Sequence, residues 1–161
     1  MDAAELKRYI ETNFEGVTSV ESSGDTFFTY DPDGDLPEQG WLPFATIVTG
    51  DHYDEVSALE ETGCYRLNIG LPKAAYLARF GAAPTARGER GVLRTGFDYA
   101  TRDQLLPHPH YASQYWVCVV SPSARMFDAV VRPLLAQSYE FAARKHANRR
   151  ARRAGEPSQE G

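Results

Sequence analysis

Two cysteines in 161 residues are too few for a disulfide-dense secreted scaffold or for a four-cysteine zinc module built from one chain. No run of about 18 apolar residues occurs, so no membrane span is expected. The start, Met1–Phe14, is charged and lacks an apolar core, which excludes a secretory signal and makes a cytoplasmic location the expectation. GxSxG, the P-loop, HExxH and a GxGxxG between strand and helix are all missing. Lysine is scarce, 3 against 14 arginines, which reads as the coding bias of a GC-rich genome rather than as a functional signal.

What is present is the composition of a folded domain. Hydrophobic residues make up 42%, aromatics 12% and charged residues 24%, which excludes a disordered chain, a collagen-like repeat and a coiled coil. The net charge of −5 conceals an asymmetry: residues 1–62 hold 15 acidic and 2 basic side chains, residues 63–161 hold 7 and 15. Either the two halves neutralise each other on folding, or the basic half meets an anion.

Leu6, Ile10 and Phe14 recur at helical spacing behind a capping Asp2. Val17–Tyr30 reads as a hairpin turning at Ser22-Ser23-Gly24, and Phe44–Val48 as a short strand. A helix is expected over 52–61, a strand over Cys64–Ile69, and a helix from Pro72 to Phe80. Gly81–Gly96 reads as a mobile, solvated loop, Phe97–Tyr99 as an edge strand, and Thr101–Leu106 as a short helical turn. Gln114–Val120 is a continuously apolar strand, expected at the centre of the sheet. Phe127, Val130, Val131, Leu134, Leu135, Ser138, Phe141 and Ala142 form one helical stripe, which Pro133 must kink or restart. The order predicts an α+β domain over residues 1–147: an antiparallel or mixed sheet of about five strands, helices on one face, and a long last helix. Residues 148–161 read as a basic, disordered tail.

The segments Phe27-Phe28-Thr29-Tyr30-Asp31-Pro32, Arg66-Leu67-Asn68-Ile69-Gly70 and Leu106-Pro107-His108-Pro109 before Trp116-Val117 resemble a family of small, mainly actinobacterial proteins with no assigned activity. That resemblance spans roughly residues 3–146 and implies a fold but no chemistry. The back half is also similar to the MmcQ/YjbR-like proteins, in its histidine turn before a tryptophan strand and in Ser138-Tyr139-Glu140. That second likeness implies a double-wing fold with suggested DNA binding. Its lysine-arginine pair is replaced by Ser113, Gln114 and Tyr115, which counts against carrying the DNA role over.

The candidate site residues are Arg66, Asn68, His108, His110, Tyr111 and Trp116. Arg66 and Asn68 fall on one face of their strand and suit a carboxylate or phosphate, unless Arg66 pairs with an acid of the N-terminal half. His108 stands in a proline-stiffened turn and is the side chain expected to titrate near neutral pH, unless it anchors the turn. Trp116 closes the floor of the proposed cleft, and Trp41 and Tyr111 line it. His108 and His110 lack further ligands at metal spacing, and Asp31, Asp33 and Asp35 start a calcium-like loop that ends on Leu42 instead of glutamate. No metal and no cofactor are therefore expected. Cys64 and Cys118 read as small buried hydrophobes.

The leading expectation is a non-enzymatic binding or interaction module with an unidentified ligand or protein partner and no membrane. The alternative is a small-molecule enzyme or ligand-binding protein using His108, Arg66 and Asn68. A weak nucleic-acid binder working through Arg144–Arg153 stands third, because a pI near 5.4 lies below the basic footprint of such domains and nucleic acid is not the expected partner.

Overall fold

The computed structural model describes residues 1–37 and 42–155. Helix α1 (Ala3–Asn13) begins on Asp2, whose side chain accepts the Glu5 backbone N–H at 2.8 Å. Strands β1 (Val17–Ser22) and β2 (Asp25–Tyr30) form the expected hairpin. Ser23 and Gly24 both take positive φ (53° and 85°), the pattern of a type I′ turn matched to the twist of its strands. Strands β3 (Ala45–Val48) and β4 (Arg66–Gly70) follow, then helix α2 (Lys73–Phe80), β5 (Leu105–Pro107) and β6 (Trp116–Val120). The chain ends in α3 (Ala124–Met126), a π-helical turn Phe127–Val131 and α4 (Arg132–Gly155).

The six strands pair antiparallel in the order β1-β2-β3-β4-β6-β5, an α+β fold with one strand more than expected. The extra strand is β5, which replaces the helical turn expected before Leu106. Alternation divides the sheet into two faces. Phe28, Ala45, Ile47, Leu67, Ile69, Val117 and Val119 point to one of them and pack with Leu6 and Ile10 of α1 and Leu134 and Leu135 of α4. β6 lies between β4 and β5, which explains its apolar run.

Three further expectations fail for identifiable reasons. Residues 52–61 form bends instead of a helix. The Asp51 carboxylate accepts the Leu59 N–H at 2.8 Å, the Asp54 carboxylate reaches the Val56 N–H, and Ala58 takes φ +52°. Aspartates that bond their own backbone compete with the helical ladder. Phe97–Tyr99 forms no strand; the Tyr99 hydroxyl instead donates to the Leu93 carbonyl at 2.5 Å. The glycine-rich stretch is folded back rather than solvated throughout: Leu93 is buried and its N–H donates to the Pro109 carbonyl at 2.7 Å.

Pro133 is accommodated by a change of winding. The π turn ends at Val131 and the Arg132 N–H donates five residues back to the Phe127 carbonyl, so Pro133 falls where the helix is changing its hydrogen-bond spacing. α4 continues as helix through the arginine run to Gly155, so the stretch expected to be a tail from residue 148 is helical as far as 155. Trp41 and residues 156–161 lie outside the described residues.

Leu134 is fully buried between the helix and the sheet. Chemical denaturation of Leu134→Ala is expected to show a loss of about 2–5 kcal/mol; a change below about half a kcal/mol would mean that this stripe is not core.

Candidate functional site

The second face of the sheet is polar at its centre. Register places Thr46, Asn68, Cys118 and Leu106 in one row across β3, β4, β6 and β5. Arg66 and Val120 stand in the row on one side, Gly70 and Trp116 in the row on the other. A Cβ on Gly70 would lie 2.9 Å from the Trp116 ring, so the absence of a side chain there lets the indole lie across β4. The loop 49–63 covers the Arg66 end, where Leu59 packs with Val48, Cys64 and Val120.

Arg66 is 3% exposed. Its guanidinium donates to both carboxylate oxygens of Asp54 at 3.2 Å and to the Ser57 hydroxyl at 2.8 Å. The internal pairing is thus the one the fold makes, and the charge expected to hold an anionic ligand is engaged by the loop. Burying a guanidinium is tolerable only with such a partner. The Asn68 amide donates to the Thr46 hydroxyl at 2.9 Å, while its carbonyl oxygen and the Arg66 Nε are buried without a hydrogen-bond partner.

His108 is held by the turn that follows it. Its N–H donates to the Trp116 carbonyl at 3.0 Å, and its Nδ1 accepts the N–H groups of His110 and Tyr111 at 3.0 and 3.1 Å. Those two bonds place the ring proton on Nε2. Arg87 closes the turn from outside by donating to the His110 carbonyl at 3.2 Å. Burial, the Arg66 charge and His110 together hold His108 well below the ordinary histidine value of 6.5. This corrects the expectation of a charge change near neutral pH: at pH 7 the ring is a neutral anchor. Burial likewise pushes the Cys118 thiol up to about 12, against the pull of Arg66, so it is no thiolate.

The fold therefore brings all six sequence-derived candidates to one region. His110 stands at the rim with Nε2 3.7 Å from Asp54, and Tyr111 is exposed with its ring 5.0 Å from His108. The rings of His108 and Trp116 meet edge to face at 6.5 Å. Asp54, Ser57 and Thr46 complete the cluster, and sequence reasoning passed over them. Thr46 was the legible one, a polar residue inside the apolar run Ala45–Val48; Asp54 was one acid among many in its half. Two surface depressions, of about 580 and 400 Å³, lie elsewhere, along the loop 49–63 and the start of α1. Among the described residues no three His, Cys, Asp or Glu side chains are placed to hold a metal ion, and no helix is long and apolar enough to cross a membrane.

A histidine kept neutral by the fold must take up a proton on unfolding once the pH drops below about 6.5. Stability due to His108 is therefore full above that value and lost as the pH falls below it, by at most about 1.4 kcal/mol per pH unit. His108→Asn keeps an acceptor for the two backbone N–H groups. Denaturation curves at pH 7 and pH 5 should show a smaller acid loss in the variant than in the native chain; equal losses would contradict the assignment.

Neither a curated protein nor a solved structure matches the chain. The match comes from a sequence family, and it covers residues 1–151, taking in every strand and all of α4 but its last turn. The chain belongs to a family of unknown function, DUF6194.

Proposed function

We propose that the protein is a non-catalytic binding or interaction module of the cytoplasm. One observation carries this reading: the three groups at the centre of this cluster that could do acid–base, electrostatic or nucleophilic work are withdrawn from it. His108 is neutral and spends Nδ1 on two backbone N–H groups, Arg66 is neutralised by Asp54, and the Cys118 thiol is buried and protonated. General acid–base catalysis wants groups poised near the working pH and within reach of substrate, and nucleophilic catalysis wants an activated nucleophile.

A second reading keeps this region as a ligand site. The buried oxygen of Asn68 and the Nε–H of Arg66, on one face of β4, leave an acceptor and a donor unused. With Arg66 already paired, a neutral group offering both a donor and an acceptor suits the site better than a free anion.

The test is a thermal-shift screen with metabolites and nucleotides, followed by mass spectrometry of each hit after long incubation. A ligand at about 100 times its Kd stabilises by about 2.7 kcal/mol. Hits are expected to be recovered chemically unchanged. Conversion of a hit that is lost in His108→Asn or Cys118→Ser would contradict the proposal and make the region an active site.

A further inference from the structure

The two ends of the sheet carry opposite charge. Asp25, Val48, Arg66 and Val120 mark one end of the strands. The loop 49–63 leaves from that end, and α1 begins there, with the Tyr65 hydroxyl donating to the Met1 carbonyl. Asp2, Asp51, Glu55, Glu60 and Glu61 gather at this end, where Arg90 and Arg102 reach Glu55 and Glu61 and leave the others as its excess charge. Asp51, Glu55 and Glu60 line the 580 Å³ depression with Gly50, His52 and Ala58.

Tyr30, Gly70 and Trp116 mark the other end, and α4 leaves the sheet there. The Ser138 hydroxyl bonds the carbonyls of Phe44 and Gly70 at that edge. The helix then continues to Gly155, roughly 25 Å further at 1.5 Å per residue.

Of the cations on this overhang, Arg150 reaches Asp33 and Asp35, and the buried His146 lies 3.7 Å from Asp33. Arg144, Lys145, Arg149, Arg152 and Arg153 have no carboxylate partner among the described residues. Arg144 and Lys145 instead lie over the Phe141 ring, at 5.9 and 4.3 Å. Lys145, Arg149 and Arg152 recur at i, i+4 and i+7, on one face of the helix, where like charges repel. An anionic surface would offset that repulsion.

We propose that copies of this chain associate head to tail, with the basic end of α4 docking against the acidic loop 49–63 of the next copy. The complementary charges lie at opposite ends of the strand axis, so one copy cannot satisfy both. A single head-to-tail contact leaves a basic end on one copy and an acidic end on the other, to which further copies add. A nucleic acid fits less well: the chain is negative overall, and Asp33, Asp35 and Glu140 flank the same helix. This inference is independent of any ligand at His108, Arg66 and Asn68.

The test is sedimentation velocity over a wide range of protein concentration, at about 20 mM and about 0.5 M salt, where screening differs severalfold. The sedimentation coefficient is expected to rise with concentration at low salt and to stay at the monomer value at high salt. A triple variant, Arg149→Glu with Arg152→Glu and Arg153→Glu, has two acidic ends. A double variant, Glu55→Lys with Glu60→Lys, has two basic ends. Each alone, confirmed as folded by circular dichroism, should stay monomeric at low salt, and mixing the two should restore association. A native chain that is monomeric at every concentration, or variants that do not pair on mixing, would overturn the proposal. So would a single-stranded oligonucleotide that binds the native helix while the protein stays monomeric.

Discussion

A guanidinium buried at the end of a central β-strand constrains the loop that covers it. Arg66 sits on β4 with neighbours on both sides, so its charge cannot reach water along the strand. Asp54 and Ser57 must come to it, and the loop 49–63 lies over the second face of the sheet for that reason. The same loop is fixed at its start by the fully buried Asp25, which accepts the Thr49 N–H at 2.9 Å and bonds His52. Once loop and arginine are paired, the site is close to neutral, and the charge that remains helps keep His108 unprotonated. The interaction that orders this face is also the one that neutralises the guanidinium at its centre.

The charge asymmetry between the two halves of the chain has a comparable double role. Arg66–Asp54, Arg90–Glu55, Arg102–Glu61 and Arg150 with Asp33 and Asp35 all join the acidic half to the basic one. Most of these pairs are exposed and contribute little to stability individually. Their common effect is to place the acidic loop at one end of the strands while leaving the far end of α4 cationic. Neutralisation across the halves is thus real but incomplete.

Much of this was legible in the sequence because periodicity and turn chemistry are local. The hairpin at Ser23 and Gly24, the alternation of β4 and the stripe of α4 all follow from spacing alone. The failures come from long-range choices. Residues 52–61 have helical spacing, but Asp54 bonds an arginine 12 positions later and Asp51 bonds the Leu59 N–H. β5 is three residues long and exists because β6 offers it an edge. Arg66, Asn68 and His108 were recognisable as a group by residue type and strand face. Their roles were not, because burial and partner decide whether a histidine titrates or an arginine is free.

The most direct test of the central claim is a double-mutant cycle between Arg66 and Asp54, using leucine at each position and chemical denaturation as the readout. Each single variant leaves a buried charge without its partner, so each is expected to cost about 3–5 kcal/mol. The double variant should cost at least about 1 kcal/mol less than the two singles added together. Single variants that cost little, or costs that simply add, would show that the pair does not hold the loop to the sheet.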